Sequence, residues 1–267
     1  MKRLALLALL TSACGYHPKG LLDMSTGLQG IGVDEGSLAG SWVTVVELDA
    51  IVPAGLLGDQ PGGFRSHFLV TRTWSRGAYT DTFHRCSREP FEVGGSRTLV
   101  PADTFPKLAP FSAGAKADHR AGTWTGDDAI ELWGLQNLPD PATSPLPNHD
   151  TYQQSDQVLD EDGDGEPGVT QFSHGSVGGK MFVVERTVFA LDGTIITPDR
   201  VQGLAQLRSN HSCRLESTAA LLLGETETRQ DTGRLSWFDS VRLKDGASCD
   251  DVAAALADGT VANSKPF

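Results

Sequence analysis

The sequence is poor in the patterns by which enzymes are usually recognised. Its 267 residues contain no Gly-x-Ser-x-Gly, no His-Glu-x-x-His and no phosphate-binding glycine loop, which excludes the familiar frames of serine hydrolases, zinc proteases and nucleotide hydrolases. Cysteines are few, four in all, and Cys-x-x-Cys is absent, so no zinc spacing can be read from them. Positive charge is scarce as well. Lys and Arg number 22 against 34 Asp and Glu, a formal net charge of −12, which argues against nucleic acid and anionic headgroups as partners. Beyond the first ten residues no apolar run, Ala219–Leu223 included, comes near the roughly 20 residues that span a bilayer. Long helix-period stretches are also rare. With 30 Gly and 14 Pro, the chain is biased to strands and turns.

What is present begins at the start of the chain. Met1-Lys-Arg carries positive charge, Leu4–Leu10 is apolar, and Ser12-Ala13-Cys14 follows. This is the layout of an export signal over residues 1–13. Ser12-Ala13-Cys14 resembles the lipobox of bacterial lipoproteins, with Thr11 where that family usually has Leu. The resemblance implies lipid attachment at Cys14, anchorage to the membrane of the cell envelope, and, with Gly15 after the cysteine, the outer membrane over the inner. Residues 14–38 are Gly-rich and aperiodic and read as a flexible tether, reaching about 25–30 Å at ~24 residues.

The body repeats itself. Ala39-Gly-Ser-Trp42 returns as Ala121-Gly-Thr-Trp124, Phe68-Leu-Val70-Thr-Arg72-Thr73 as Phe182-Val-Val184-Glu-Arg186-Thr187, and His84-Arg-Cys86 as His211-Ser-Cys213. Three anchors in the same order suggest a duplication, with β repeats at 39–118 and 119–250, the second carrying a Pro-rich and acidic insertion. Period-two alternation in Trp42/Thr44/Val46/Leu48, Phe68/Val70/Arg72/Trp74 and Phe182/Val184/Arg186/Val188 marks strands. Further strands are expected at 79–86, 97–101, 129–134, 169–174, 204–208, 213–223 and 235–242, with a hairpin turn at Gly175–Gly179. Ser248-Cys-Asp-Asp251 is a capping box that opens a short helix stopped by Gly259, so 251–267 reads as short helix and tail. The fold expected is all-β, an antiparallel barrel or sandwich of two unequal repeats closed by a short helix. Gly-x-Trp on an early strand resembles lipocalins.

The repeat also sets expectations for particular side chains. Cys86 and Cys213 are equivalent, which leaves Cys249 to tie down the tail, and Cys213–Cys249 is the disulfide expected. Arg72 and Arg186 share the apolar phase of their strands, so each needs a buried partner. Arg72 is expected to stack on Trp42, and Arg186 on Trp124. His84 with Cys86, and His211 with Cys213, project to one side of a strand and could form a metal pair or a Cys–His nucleophile, but their occurrence in both halves suits a structural role carried through duplication.

The densest chemistry lies in Asp160-Glu-Asp162-Gly-Asp164-Gly165-Glu166. From Asp156 to Glu166 there are six acids and no Lys or Arg. Carboxylates at alternate positions followed by a glycine suit a hard cation bound through oxygen. The run resembles the Asp-x-Asp-x-Asp-Gly core of EF-hands, dockerins and thrombospondin type 3 repeats. That resemblance implies calcium held by Asp160, Asp162 and Asp164 with the Glu166 backbone carbonyl. Gln171 stands where an EF-hand has a bidentate Glu, and no flanking helices are expected, so the loop is solitary and structural.

The sequence thus points to a lipid-anchored envelope protein with a calcium-stapled loop, a binding or scaffold protein whose partner it does not name. A lipocalin-like carrier of a small apolar ligand and an unrecognised hydrolase stay open as alternatives.

Overall fold

The computed structural model describes residues 28–54, 58–175 and 177–266. The signal segment 1–13, Cys14 and the tether as far as residue 27 lie outside the described residues. The chain forms β1 (Gly40–Pro53), β2 (Asp59–Ser75), β3 (Ala78–Pro90), β4 (Ser96–Leu99), β5 (Phe111–Asp118), β6 (Thr123–Gly126), β7 (Ala129–Trp133), β8 (Val169–Gly175), β9 (Gly179–Thr197), β10 (Arg200–Ser217), β11 (Gly224–Gln230), β12 (Trp237–Arg242) and the helix α1 (Cys249–Ala257). As expected from the alternation, this is an all-β chain with one short C-terminal helix. Among the described residues, no helix is long and apolar enough to cross a membrane.

All twelve strands belong to one antiparallel sheet, ordered β11-β10-β12-β1-β2-β3-β5-β6-β9-β8-β4, with β7 also on β9. The path returns on itself, because β9 pairs with β10 from Thr197↔Arg200 to Met181↔Ser217. A second contact, Ala50↔Gln230, joins β1 to β11. The circuit encloses the main core, in which Trp42, Val46, Leu48, Phe68, Val70, Tyr79, Trp124 and Phe189 pack together. The alternating phase of β1 accounts for this, since Trp42, Val46 and Leu48 point inward. Thr44 in the same phase is satisfied by Ser240 Oγ at 2.8 Å.

The odd-numbered face of β1 is covered as well. Val43 and Val45 join Trp237, Val252, Ala255 and Val261 beneath α1. The helix begins as the capping box predicts: Ser248 and Asp251 cap each other's backbone groups, and Gly259 follows at φ 75°. On β9 and β10, Val184, Cys213 and Leu215 are covered by Leu135, Leu146 and Tyr152 of the long segment between β7 and β8.

Four expectations need correction. Residues 28–38 are not a free tether: the Ile31 amide bonds to Ile195 O, the Val33 amide to His119 O, and Leu38 is fully buried. The disulfide joins Cys86 to Cys249, with Cα atoms 5.3 Å apart, and Cys213 is a free, buried thiol. Cys86 lies on β3 beneath α1, whereas Cys213 on β10 turns into the other outer cluster, away from the helix. Arg72 does stack on Trp42, 4.6 Å from its ring centre, but Trp124 also stacks on Arg72, at 3.9 Å. Arg186 shares the phase of Val184, faces the covering segment and donates to Ser144 O at 2.6 Å.

Finally, the repeated anchors occupy successive paired strands in both halves, β1-β2-β3 and β6-β9-β10, but in different registers. Trp42 faces Val70 while Trp124 faces Gly193, and His84 faces Leu69 while His211 faces Arg186. The two halves share strand order, not side-chain equivalence.

Candidate functional site

The acidic loop leaves the sheet after β7 and re-enters it at β8. It is held by Glu161, whose carboxylate accepts the amides of Ala109, just before β5, at 2.8 Å and of Gly134, just after β7, at 2.6 Å. Burial pushes the Glu161 carboxyl up, opposed by those two amides. Gly168, at φ 83°, lets the chain pass close to β9, where an added Cβ would meet Val183 O at 2.5 Å. Gly165, at φ 88°, makes the turn itself.

Within the loop, Asp160 caps the turn, accepting from the amides of Gly163, Asp164 and Gly165 at 2.8, 3.2 and 2.9 Å. Asp164 accepts from the Glu166 amide at 3.0 Å and the Thr170 hydroxyl at 2.7 Å, and Lys180 Nζ lies 3.4 Å away. Asp162 is only 3 % exposed; its Oδ2 accepts the Thr170 amide at 2.8 Å. Its Oδ1 is buried with no hydrogen-bond partner. Burial, with Asp164 and Asp160 nearby, pushes the Asp162 carboxyl up.

The structure therefore brings Asp160, Asp162 and Asp164 together, one oxygen of each within 4.8 Å of the others. A buried carboxylate oxygen to which no described residue donates, facing two more carboxylates, fits a divalent cation. Of Glu166, expected to lend its backbone carbonyl, it is the amide that is seen bonded, to Asp164. Gln171, at the twelfth position, is buried and turned to a cavity instead. Thr170 and Glu161, which orient the loop, carried no signal in the sequence.

That cavity is the second feature. It has a volume of about 590 Å³ and opens where β1 and β3 end and β2 begins, lined by β1–β4, β8–β11 and the turn at Ala220–Leu222. Val52, Phe64, Met181 and Leu222 give it apolar walls. Its polar lining includes Arg88, which stacks 3.6 Å from the centre of Phe64 and pairs with Glu185 at 2.7 Å. Asn210 Nδ2 reaches the same Glu185 at 3.0 Å. Arg214 differs from Arg88. It donates to Thr226 Oγ1 at 2.7 Å but, among the described residues, has no carboxylate partner, and burial pushes its guanidinium down.

The proposed Cys–His pairs fare differently. Cys86 is consumed by the disulfide, which removes it from any pairing with His84. Cys213 Sγ lies 3.5 Å from His211 Nε2. Burial above all pushes its thiol up to about 12, so it is no nucleophile near neutral pH.

Compared with known protein families, curated proteins and solved structures, the chain matches none. The chemistry of the site must be argued from its own residues.

Proposed function

We propose that this chain is an exported, lipid-anchored binding protein whose ligand is a small amphiphilic anion. The observation that carries this reading is Arg214, a half-buried guanidinium on the cavity wall that, among the described residues, forms no ion pair with a carboxylate. A cavity of about 590 Å³ falls in the usual range for small-molecule sites, some 300–1,000 Å³, and its lining mixes apolar walls with polar and charged groups. The ligand's apolar body lies against Val52, Phe64, Met181 and Leu222, and its anionic head takes the free side of Arg214. The export signal and Cys14 attach the body to the envelope.

The test uses a long-chain fluorescent carboxylate and the alcohol of the same chain. Arg214→Gln is expected to weaken carboxylate binding about 10- to 100-fold, the ~1.5–3 kcal/mol of a hydrogen bond to a charged group, and to leave the alcohol unchanged. Equal loss for both, or no saturable binding by the unaltered protein, would overturn the proposal.

Calcium supports this body as a staple. Held by Asp160, Asp162 and Asp164, it fixes the segment between β7 and β8 and, through Thr170 and Gln171, the start of β8 on the cavity wall. At calcium a hundredfold above its dissociation constant, stability should rise by about 2.7 kcal/mol. Asp162→Asn, nearly isosteric, should lose most of that gain in calorimetry with and without chelator. An equal calcium response in the two proteins would rule the site out.

A further inference from the structure

One group of side chains lies outside the acidic loop and, Glu225 apart, outside the cavity lining. His211 and Cys213 lie two residues apart on β10 and so project from the same face. Glu225 on β11 stands directly opposite Cys213 in the ladder and shares that face. It is the face beneath the covering segment; Ser212 and Arg214, in the opposite phase, line the cavity.

The ligand atoms converge. His211 Nε2 is 3.5 Å from Cys213 Sγ and 3.3 Å from Glu225 Oε2, and the three atoms lie within 4.8 Å of one another. A tetrahedral zinc ion bound at about 2.0–2.3 Å to nitrogen, sulfur and oxygen needs N···S near ~3.5 Å and N···O near ~3.4 Å. The two observed separations match those edges. A Cys–His–Glu relay would instead use both ring nitrogens, one toward the thiol and the other toward the carboxylate. Here the same Nε2 faces both, which places a shared centre between the three groups.

The surroundings fit a metal centre too. Asn148 Nδ2 donates to Glu225 Oε1 at 2.8 Å and leaves Oε2 toward His211, the kind of outer hydrogen bond that orients a ligating carboxylate. Cys213 is fully buried while the Glu225 side chain is 45 % exposed, so the sulfur end is closed and the carboxylate end open. All three side chains stand on paired strands, which hold them in place better than loops do.

We propose that His211, Cys213 and Glu225 bind a zinc ion, with a fourth position open to water or a small ligand. On binding, the zinc–sulfur bond forms as the thiol proton passes to solvent, and no electron is transferred. The nitrogen and sulfur donors separate this site from the all-oxygen acidic loop, which suits a hard cation.

The experiment titrates cobalt(II), then zinc, into the oxidised full chain carrying Cys14→Ser, with calcium at saturation to occupy the acidic loop. Cys213 is then the only free thiol. One equivalent of cobalt should give a thiolate-to-cobalt charge-transfer band and the visible bands of tetrahedral cobalt, and zinc should displace it. Cys213→Ser should abolish the charge-transfer band. Because a buried cysteine can be needed for folding, Glu225→Gln, at a half-exposed side chain, provides the second arm and should weaken cobalt and zinc about 10- to 100-fold. Absence of the band in the folded protein would overturn the site, and so would unchanged affinity in both Glu225→Gln and His211→Gln.

Discussion

Replacing Cys249 by serine is expected to lower the stability of the protein by about 4–5 kcal/mol, the largest effect of any single substitution outside the core. Cys86 and Cys249 are 163 residues apart in sequence. In the chain-entropy picture, closing a loop of that length restricts the unfolded chain by about 5 kcal/mol. The native geometry gives little back, since a Cα separation of 5.3 Å lies in the ordinary range. The bridge also anchors α1 at its first residue. Without it the helix is held by its capping box, by the Lys244–Asp251 ion pair, and by Val252, Ala255 and Val261 on Val43, Val45 and Trp237. For a body of this size each kcal/mol moves the midpoint by about 2–4 °C, so calorimetry should show Tm falling by roughly 10–15 °C. The reduced unaltered protein should match the variant. A shift within about 2 °C would mean that the helix and its contacts hold the tail without the bridge.

The disulfide also shows where sequence reasoning ran out. The repeat made Cys86 and Cys213 equivalent and so left Cys249 to the wrong partner. What decided the pairing was which face of the sheet the helix covers, and that depends on the long-range pairing of β1 with β12, a contact no local pattern announces. Strand phases were legible where one face is apolar. β1 and β2 follow their alternation, the turn between β8 and β9 lies where the glycines put it, and the capping box opens α1. Strands whose apolar face is missing or made of small residues were not. β11, Gly-Glu-Thr-Glu-Thr-Arg-Gln, has no apolar residue, and β5 is rich in Ala and Gly. β10 read as two segments because Arg208–Ser212 is polar, yet one continuous strand carries those residues, turning Asn210 and Ser212 to the cavity.

The same distinction governs the site. The acidic loop was legible because its three carboxylates fall within five consecutive residues and their spacing alone brings them together. The cavity was not, since Arg214, Phe64 and Gln171 meet only through the ladder. The cluster on β10 and β11 lies between these cases: His211 and Cys213 form a visible pair, while Glu225 joins them only by register.

Neutralising Asp81 should cost about 3–5 kcal/mol, and the reason lies in how the interior treats Arg72. The two residues are 3 % and 4 % exposed and form a two-bonded pair, Nε to Oδ1 at 2.7 Å and Nη2 to Oδ2 at 2.9 Å. The guanidinium is held between the faces of Trp42 and Trp124, while its Nη1 is buried without a hydrogen-bond acceptor. Asp81→Ala would leave a cation in that aromatic slot with nothing to balance it, the costly case for a buried pair. Arg72→Met with Asp81→Leu removes the charge and its partner together, and is expected to cost less than Asp81→Ala alone despite altering two residues. Urea unfolding of the single and double variants measures this as a coupling of about 2–3 kcal/mol. Additive losses, or a cost below about 1 kcal/mol for Asp81→Ala, would show that the indole faces alone satisfy the guanidinium. The consequence reaches the N-terminal segment. Trp42 is sandwiched a second time, by Arg242 at 4.7 Å, and its Nε1 donates to Leu38 O at 3.0 Å. Arg242 in turn holds Ala39 O and Ser37 O. Loosening Arg72 should therefore free residues 28–38 before the sheet opens, and hydrogen exchange at Ile31 and Val33, whose amides bond to Ile195 and His119, would report it first.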